Sequence, residues 1–384
     1  MVEFRPAARV SELPGNFFQA LDREILAARA AGVDVIDLSK GNPDLPTPER
    51  IVRAAQEALT RPEHHRYGPF APPAALAEAI AARYLADHGV SVDPSTQIAV
   101  THGSSEALMG VVQALVDPGA ALVIPDPGYP AYRDAAALAG AEVSTIELDP
   151  ATGYQPDPTT LRVDRAAALL LNYPHNPTGA VAEPGTFETA LEVSERLGAA
   201  FVHDFAYSSL GYSAPPLSAL SADPGFERTV EISTLSKTYN MAGWRIGYTV
   251  GNASIIAALR HFQESAYSTV FGAMFDTAAA ALAGDQSAAR ELVDVYRRRR
   301  DLVVGALRAA GWRVSPVDGT FFVWIEVGGD DVAFARALLA DHGVAVSAGS
   351  GFGARGAGFI RLSLVHDETT LLRALDRLPA PPAG

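Results

Sequence analysis

Ser233-Thr-Leu-Ser-Lys-Thr-Tyr-Asn-Met-Ala-Gly-Trp-Arg-Ile-Gly-Tyr248 lies between two short apolar, β-branched runs, Thr229–Ile232 and Ile246–Val250. Its hydroxyls, lysine, glycines and arginine interrupt a pattern that is otherwise apolar, so the segment reads as a polar turn at the end of a buried strand. The same punctuation recurs upstream. From about residue 95 to residue 250, strand-like runs at Gln97–Val100, Ala121–Ile124, Glu142–Ile146, Ala168–Leu171 and Ala200–Val202 alternate with helical stretches at Ala74–Asp87, Ser105–Leu115, Ala131–Leu138 and Phe187–Leu197. Near-continuous apolar strands interleaved with helices predict an α/β fold, a mainly parallel sheet of seven strands covered on both faces.

Five polar segments follow these strands directly: Thr101-His-Gly-Ser-Ser105, Pro125-Asp-Pro-Gly-Tyr129, Asn172-Tyr-Pro-His-Asn-Pro-Thr-Gly179, His203-Asp-Phe-Ala-Tyr207 and the opening stretch itself. All are expected on one edge of the sheet, where open α/β folds bind ligands. Gathered there are a lysine, an aspartate, an asparagine, tyrosines, a Gly-Ser-Ser helix start and Arg245. That inventory suits pyridoxal 5'-phosphate. Its aldehyde takes a lysine amine, its ring nitrogen a carboxylate, and its phosphate a helix amino terminus plus a cation.

After residue 275 a long helical stretch, Ser287–Ala310, precedes strand-like Phe321–Val327, a helix near Val332–Leu339, and strands at Val344–Ser347 and Phe359–Leu364. This predicts a second, smaller α+β unit, and three parts in all: residues 1–45 joining the small domain, 46–275 as the large cofactor domain, and 276–384 as the small domain. The Pro/Ala/Gly tail from Leu378 is expected to fray.

Composition narrows the partners. A formal charge of −14, with 30 Lys and Arg against 44 Asp and Glu, opposes nucleic acid and membrane surfaces. The absence of cysteine removes disulfides and thiolate chemistry. With no signal-like apolar start and no membrane-length apolar run, the chain is expected in the cytoplasm. Nine histidines without a paired-ligand spacing give no support to a metal. Gly349-Ser-Gly-Phe-Gly-Ala-Arg-Gly356 lacks the strand and helix context of a dinucleotide fingerprint and is expected to be a flexible loop near Arg361. The run Arg297–Arg300 is expected to be a solvated helix face.

The quoted segments, together with Gly41-Asn-Pro-Asp-Leu-Pro-Thr-Pro48, Tyr67-Gly-Pro-Phe70 and Phe359-Ile-Arg-Leu-Ser363, resemble the class I/II aminotransferases, fold-type I pyridoxal phosphate enzymes, over nearly the whole chain. Methionine-salvage and related aminotransferases are the most similar members. The resemblance implies Lys237 as the Schiff-base lysine and proton shuttle, Asp204 as partner of the pyridine nitrogen, and Tyr207 and Asn176 as partners of the ring 3-oxygen. It implies Tyr129 stacked on the ring, and Gly103, Ser104, Ser105, Arg245 and either Thr234 or Ser236 at the phosphate. Arg361, Asn176 and Gly41 would meet the substrate carboxylate. Tyr67 would reach the phosphate of a neighbouring subunit, making a homodimer with shared sites.

The implied reaction moves an amino group between an L-amino acid, neutral or methionine-like, and a 2-oxo acid. Elimination, replacement or carbon–carbon bond formation at Cβ or Cγ would use the same cofactor. Pro72 and Ala77 depart from the family pattern on the substrate and interface side, and Phe205 replaces a common Glu or Asn. A regulator built on the same domain would need a DNA-binding module ahead of residue 35, for which the sequence leaves no room.

Overall fold

The computed structural model describes residues 4–11, 13, 15 and 17–382. The ends of the expected first and third parts, residues 1–3 and 383–384, lie outside them, as does the tip of the proline-rich tail. The large sheet runs, in spatial order, Ile98–Thr101, Gly247–Gly251, Thr229–Thr234, Ala200–Asp204, Ala168–Asn172, Ala121–Asp126, Glu142–Leu148 and Pro156–Asp157. These are the seven expected strands plus a two-residue antiparallel edge strand. Five neighbours from Thr229–Thr234 to Glu142–Leu148 are parallel. Gly247–Gly251 runs antiparallel to both of its neighbours.

The central strands are buried along their whole length because helices cover both faces. Ser104–Leu115, Ala131–Ala139 and Ala253–Ala266 close one face through Val111, Ala135, Ile256 and Leu259. Thr186–Leu197 packs on the other through Phe187 and Val193. Beside it, Glu49–Leu59, Ala74–His88 and Gly272–Ala283 share a core around Ile51, Ile80 and Phe275. Ala77 is buried in that core.

A second, four-stranded antiparallel sheet runs Arg313–Val314, Phe322–Glu326, Phe359–Ser363 and Ser347–Ala348, with Trp324 opposite Arg361. The helix Ser287–Ala309 packs Tyr296, Val303 and Leu307 into its core. The expected strand Val344–Ser347 is two pieces with different partners: Val344–Ala345 pairs in parallel with Ile36–Asp37, and Ser347–Ala348 joins the sheet. That first pairing carries the amino-terminal segment, and Ser363 N donates to Leu38 O at 2.8 Å beside it.

Two expectations are corrected. Arg297–Arg300 is a solvated face only in part: Arg298 stays exposed and Arg297 partly so, but Arg299 is 4% exposed and forms a bidentate pair with Asp44, both contacts 2.8 Å, while Arg300 donates to Val317 O at 2.6 Å. The helix packs one side on the core of the four-stranded sheet, and two arginines of the run face inward to partners elsewhere in the chain. The glycine-rich stretch 349–356 is not a loose loop but two 3-10 turns. Asp126 accepts from Ala354 N and Arg355 N, and Asp331 accepts from Ser350 N. It does lie beside Arg361, as expected, through Phe352.

Replacing Asp44 by asparagine leaves the Arg299 guanidinium without its counter-charge. The expected cost is about 2 to 3 kcal/mol, below that of a fully enclosed pair because Asp44 keeps some solvent contact. A fall in the urea midpoint of Asp44→Asn checks it; an unmoved midpoint contradicts it.

Candidate active site

The carboxyl ends of the parallel strands face the four-stranded sheet, and a cavity of about 430 Å³ lies between them. Asn172 and Asp204 end adjacent strands in register. Lys237 sits in the single helical turn Leu235–Thr238 that follows Thr229–Thr234, capped by the Thr234 hydroxyl on Ser236 N. Arg361 enters from the opposite wall, in the middle of Phe359–Ser363. Gly41, Ser104, Ser105, Tyr129, Asn176, Asp204, Tyr207, Ser236, Lys237, Arg245 and Arg361 all line this one space.

Lys237 Nζ donates to Gly41 O at 2.7 Å. Burial, then the charges of Arg245 and Arg361, push its amine down to about 8, with Asp204 opposing. Asp204 accepts from the Tyr132 phenol at 2.8 Å and from Ala206 N at 3.2 Å. Burial nevertheless raises its carboxyl above the ordinary range, so a cationic group placed against it would be stabilised. Behind the strand, His203 Nδ1 lies 2.8 Å from Glu231 and Nε2 lies 2.9 Å from Tyr173 O, both side chains fully enclosed. Burial works against charge on Glu231, but the bond and charge of His203 outweigh it and hold the carboxyl low.

Arg361 is 1% exposed. Nη1 donates to Asn176 Oδ1 at 2.7 Å and Nη2 to Ser39 O at 2.7 Å, while Nε has no partner among the described residues. Its guanidinium lies 3.9 Å from the Phe322 ring centroid, 4.7 Å from Phe352 and 5.3 Å from Phe18. No carboxylate pairs with it among the described residues. Burial lowers its pKa to about 10, which leaves it charged at neutral pH.

At the other end, Gly103 precedes the helix Ser104–Leu115 with φ +86°, and a Cβ there would fall 2.5 Å from Arg245 Nη2. Arg245 itself adopts φ +54°, a strained value for a side-chain-bearing residue, and donates to Ala242 O at 2.8 Å. A guanidinium with no carboxylate partner among the described residues thus lies against the open end of a helix, an approach that a side chain at 103 would block. Such a cradle suits an anion.

Three expected residues lie off the cavity wall. Thr234 faces a separate cleft of about 670 Å³ on the other side of its strand, leaving Ser236 as the hydroxyl in the cavity. Gly103 shapes the cradle without lining it. Tyr67 is 93% exposed, on a surface depression that it shares with His102 and Arg245. Tyr132, Asn172, Phe18, Asp22, Lys40 and Phe322 line the cavity without having been singled out. Asn172 opens a quoted segment, and its amide bridges Asp204 O and Asn176 N at 2.7 and 2.8 Å. Tyr132 follows Tyr129 by one helical turn, a spacing that could have revealed it.

A buried amine with a value near 8 becomes nucleophilic as pH rises through that point, because only the deprotonated form carries a lone pair. Reductive methylation of Lys237 in cofactor-free protein is expected to rise with half-maximum near pH 8. A rise continuing past about pH 10, as for an ordinary lysine, contradicts it.

The profile of the family described as "Aminotransferase class I and II" matches residues 33–378. The chain is 39% identical to the L-glutamine--4-(methylsulfanyl)-2-oxobutanoate aminotransferase of Bacillus subtilis (strain 168), over 98% of this chain and 96% of the relative. It is 37% identical to the LL-diaminopimelate aminotransferase of Desulforudis audaxviator, over 98% of each. Among solved structures, substrate-bound BacF from Bacillus subtilis superposes with a TM-score of 0.93 at 35% identity, covering 98% of this chain and 97% of that one. Aspartate aminotransferase from Thermotoga maritima gives 0.90 at 32% identity, covering 97% and 98%. With the polar edge, the buried lysine and the fold in agreement, the chain belongs to the class I and II aminotransferases, enzymes that transfer amino groups.

Proposed function

We propose that the chain exchanges an amino group between a neutral, methionine-like L-amino acid and a 2-oxo acid, with pyridoxal 5'-phosphate carried on Lys237. The observation that carries this reading is the buried Arg361, which has no carboxylate of its own and stands across the cavity from a lysine of lowered basicity. A substrate α-carboxylate supplies the missing counter-charge, and the guanidinium fork accepts it with two parallel bonds.

The residues present fit the cofactor. Asp204, backed by Tyr132, would hold the pyridine nitrogen; the amides of Ser104 and Ser105, the Ser236 hydroxyl and Arg245 would hold the phosphate. Tyr129 would cover the ring, and Tyr207 and Asn176 would reach its 3-oxygen. When bound, the cofactor supplies an electron sink for the pair left at Cα after proton removal. Lys237 Nζ takes the Cα proton of the donor amino acid, and returns one to Cα when a 2-oxo acid is aminated. Its lowered basicity leaves a useful fraction of free amine near neutral pH. Arg361 and Asn176 orient the substrate so that this proton faces the amine, and the Phe18, Phe322 and Phe352 rings exclude water from the guanidinium.

The phenol of Tyr67, exposed beside Arg245, supports a homodimer in which each subunit completes the other's phosphate site. The exposed apolar rings of Phe70, Tyr267 and Phe271 add support to that interface. The working division remains three parts, 1–45, 46–275 and 276–384. No helix among the described residues is long and apolar enough to cross a membrane. That fact and the absence of cysteine fit the cytoplasmic setting proposed for the enzyme. The neutral substrate draws support from the apolar rings near Arg361 and from the methylsulfanyl compound in the name of the Bacillus relative.

Borohydride treatment of cofactor-replete protein followed by peptide mapping is expected to find the pyridoxyl group on Lys237. Lys237→Ala is expected to lose about 10⁴-fold or more in amino exchange with a 2-oxo acid; full turnover by that variant refutes the assignment. Arg361→Lys keeps the charge but loses the fork, and is expected to lower kcat/KM about a hundredfold, mostly through KM. A loss confined to kcat would argue against the carboxylate role.

A further inference from the structure

We infer that Asp22 and Lys40 form a specificity-determining pair at the mouth of the cavity, selecting, among amino acids with polar side chains, those ending in a net-neutral group with both a hydrogen-bond donor and an acceptor, a carboxamide being the smallest. The inference rests on the aminotransferase reading and adds to it the class of side chain.

Lys40 stands between two residues whose carbonyls are already engaged by the machinery: Ser39 O accepts from Arg361, and Gly41 O accepts from Lys237. Its side chain lines the same cavity. Facing it is the helix Phe17–Ala30, where Phe18 and Asp22, one turn apart and so on one face, line the cavity too. Phe18 lies 5.3 Å from the Arg361 guanidinium and 6.3 Å from the Tyr129 ring. Asp22 Oδ1 lies 2.6 Å from Lys40 Nζ. A substrate anchored at Arg361 and reacting at Lys237 has its side chain left to pass Phe18 and meet this pair.

Charge then decides which side chains are accepted. Asp37 Oδ2 lies 3.7 Å from the same Nζ, so the mouth holds one cation between two carboxylates. A side-chain carboxylate must draw Lys40 away from both and face them itself. An ammonium group reaches Asp22 only beside the like charge of Lys40, and Asp37 Oδ1 is already held by Ser39 N and Oγ. A carboxamide offers its N–H to Asp22 and its oxygen to Lys40 without separating them. The pair is about half exposed, 47% for Lys40 and 41% for Asp22, hence weak enough to open for such a guest. The distal zwitterion of a longer diamino-dicarboxylic acid has the same net-neutral, donor-plus-acceptor character.

The test measures kcat/KM of the holoenzyme and of its Asp22→Asn and Lys40→Gln variants for glutamine, glutamate, lysine and LL-diaminopimelate. Wild type is expected to favour glutamine or LL-diaminopimelate over glutamate and lysine, and the better of the first two identifies the natural terminus. Asp22→Asn should raise the glutamate-to-glutamine ratio roughly tenfold, and Lys40→Gln should raise the lysine-to-glutamine ratio similarly. Ratios that hold within a factor of two, or that shift in the same direction in both variants, overturn the proposal. Calorimetric affinities of α-methylglutamine and α-methylglutamate, which have no Cα hydrogen to lose, are expected to follow the same pattern. This readout needs no turnover, so a wild type that binds these ligands selectively yet exchanges no amino group would sink the aminotransferase reading and leave the pair standing.

Discussion

A guanidinium shut away from water without a carboxylate to neutralise it is the constraint around which this molecule is arranged. Isolated buried charge costs several kcal/mol even after relaxation. Arg361 is kept charged by neutral acceptors, chiefly Asn176 Oδ1 and Ser39 O, and by three aromatic faces. Each of these comes from a different part of the chain: the loop after Ala168–Asn172, the amino-terminal segment, the helix Phe17–Ala30, the strand Phe322–Glu326 and the 3-10 turn at Phe352. The two sheets and the amino-terminal segment therefore have to meet for the arginine to be tolerated at all. Stability and the site share one set of contacts.

The large sheet was legible because its strands are apolar on both faces, and strand-terminal polarity then located the edge where Asp204, Asn176 and Lys237 meet. Arg361 was legible for a similar reason, as a charge inside Phe-Ile-Arg-Leu-Ser. Five helices of nine residues or more among the described residues were not read: Phe17–Ala30, Glu49–Leu59, Ala253–Ala266, Gly272–Ala283 and Glu368–Asp376. Gly272–Ala283 is alanine-rich and apolar almost all round, so periodicity gives it no direction. Phe17–Ala30 buries only Ile25 fully, which is why its ring and carboxylate at the cavity left no trace in the pattern. Arg299 was misread because charge in a helix looks solvated until the partner, 255 residues away at Asp44, is known. Thr234 and Ser236 are two residues apart on a strand-to-helix turn, and only the turn's geometry sends one to each side.

Support beneath the site follows the same logic of distant partners. His203 and Glu231 meet across adjacent strands directly behind Asp204, and Glu231 also accepts from the Ser218 hydroxyl at 2.9 Å. His203 packs at a tilt against Phe205 with centroids 4.7 Å apart, so the phenylalanine after the aspartate acts as packing for this pair. Tyr132 on the opposite face holds the Asp204 carboxylate itself. Tyr132 and Ala206 N each hold one oxygen of that carboxylate, which restrains its rotation.

If Arg361 takes a substrate carboxylate as proposed, the acceptor it must give up is the carbonyl of Ser39, while Gly41 O holds the Lys237 amine. An arriving molecule must outcompete that acceptor, and a neutral carbonyl is an intermediate rival: weaker than an anion, comparable to an ester or amide oxygen. Amino esters, amino amides and decarboxylated amines therefore gain little by entering, whereas a free amino acid gains a full charge-assisted contact. The carbonyl of Ser39 and the side-chain oxygen of Asn176 would thus set a threshold that discriminates at the carboxylate end of the substrate.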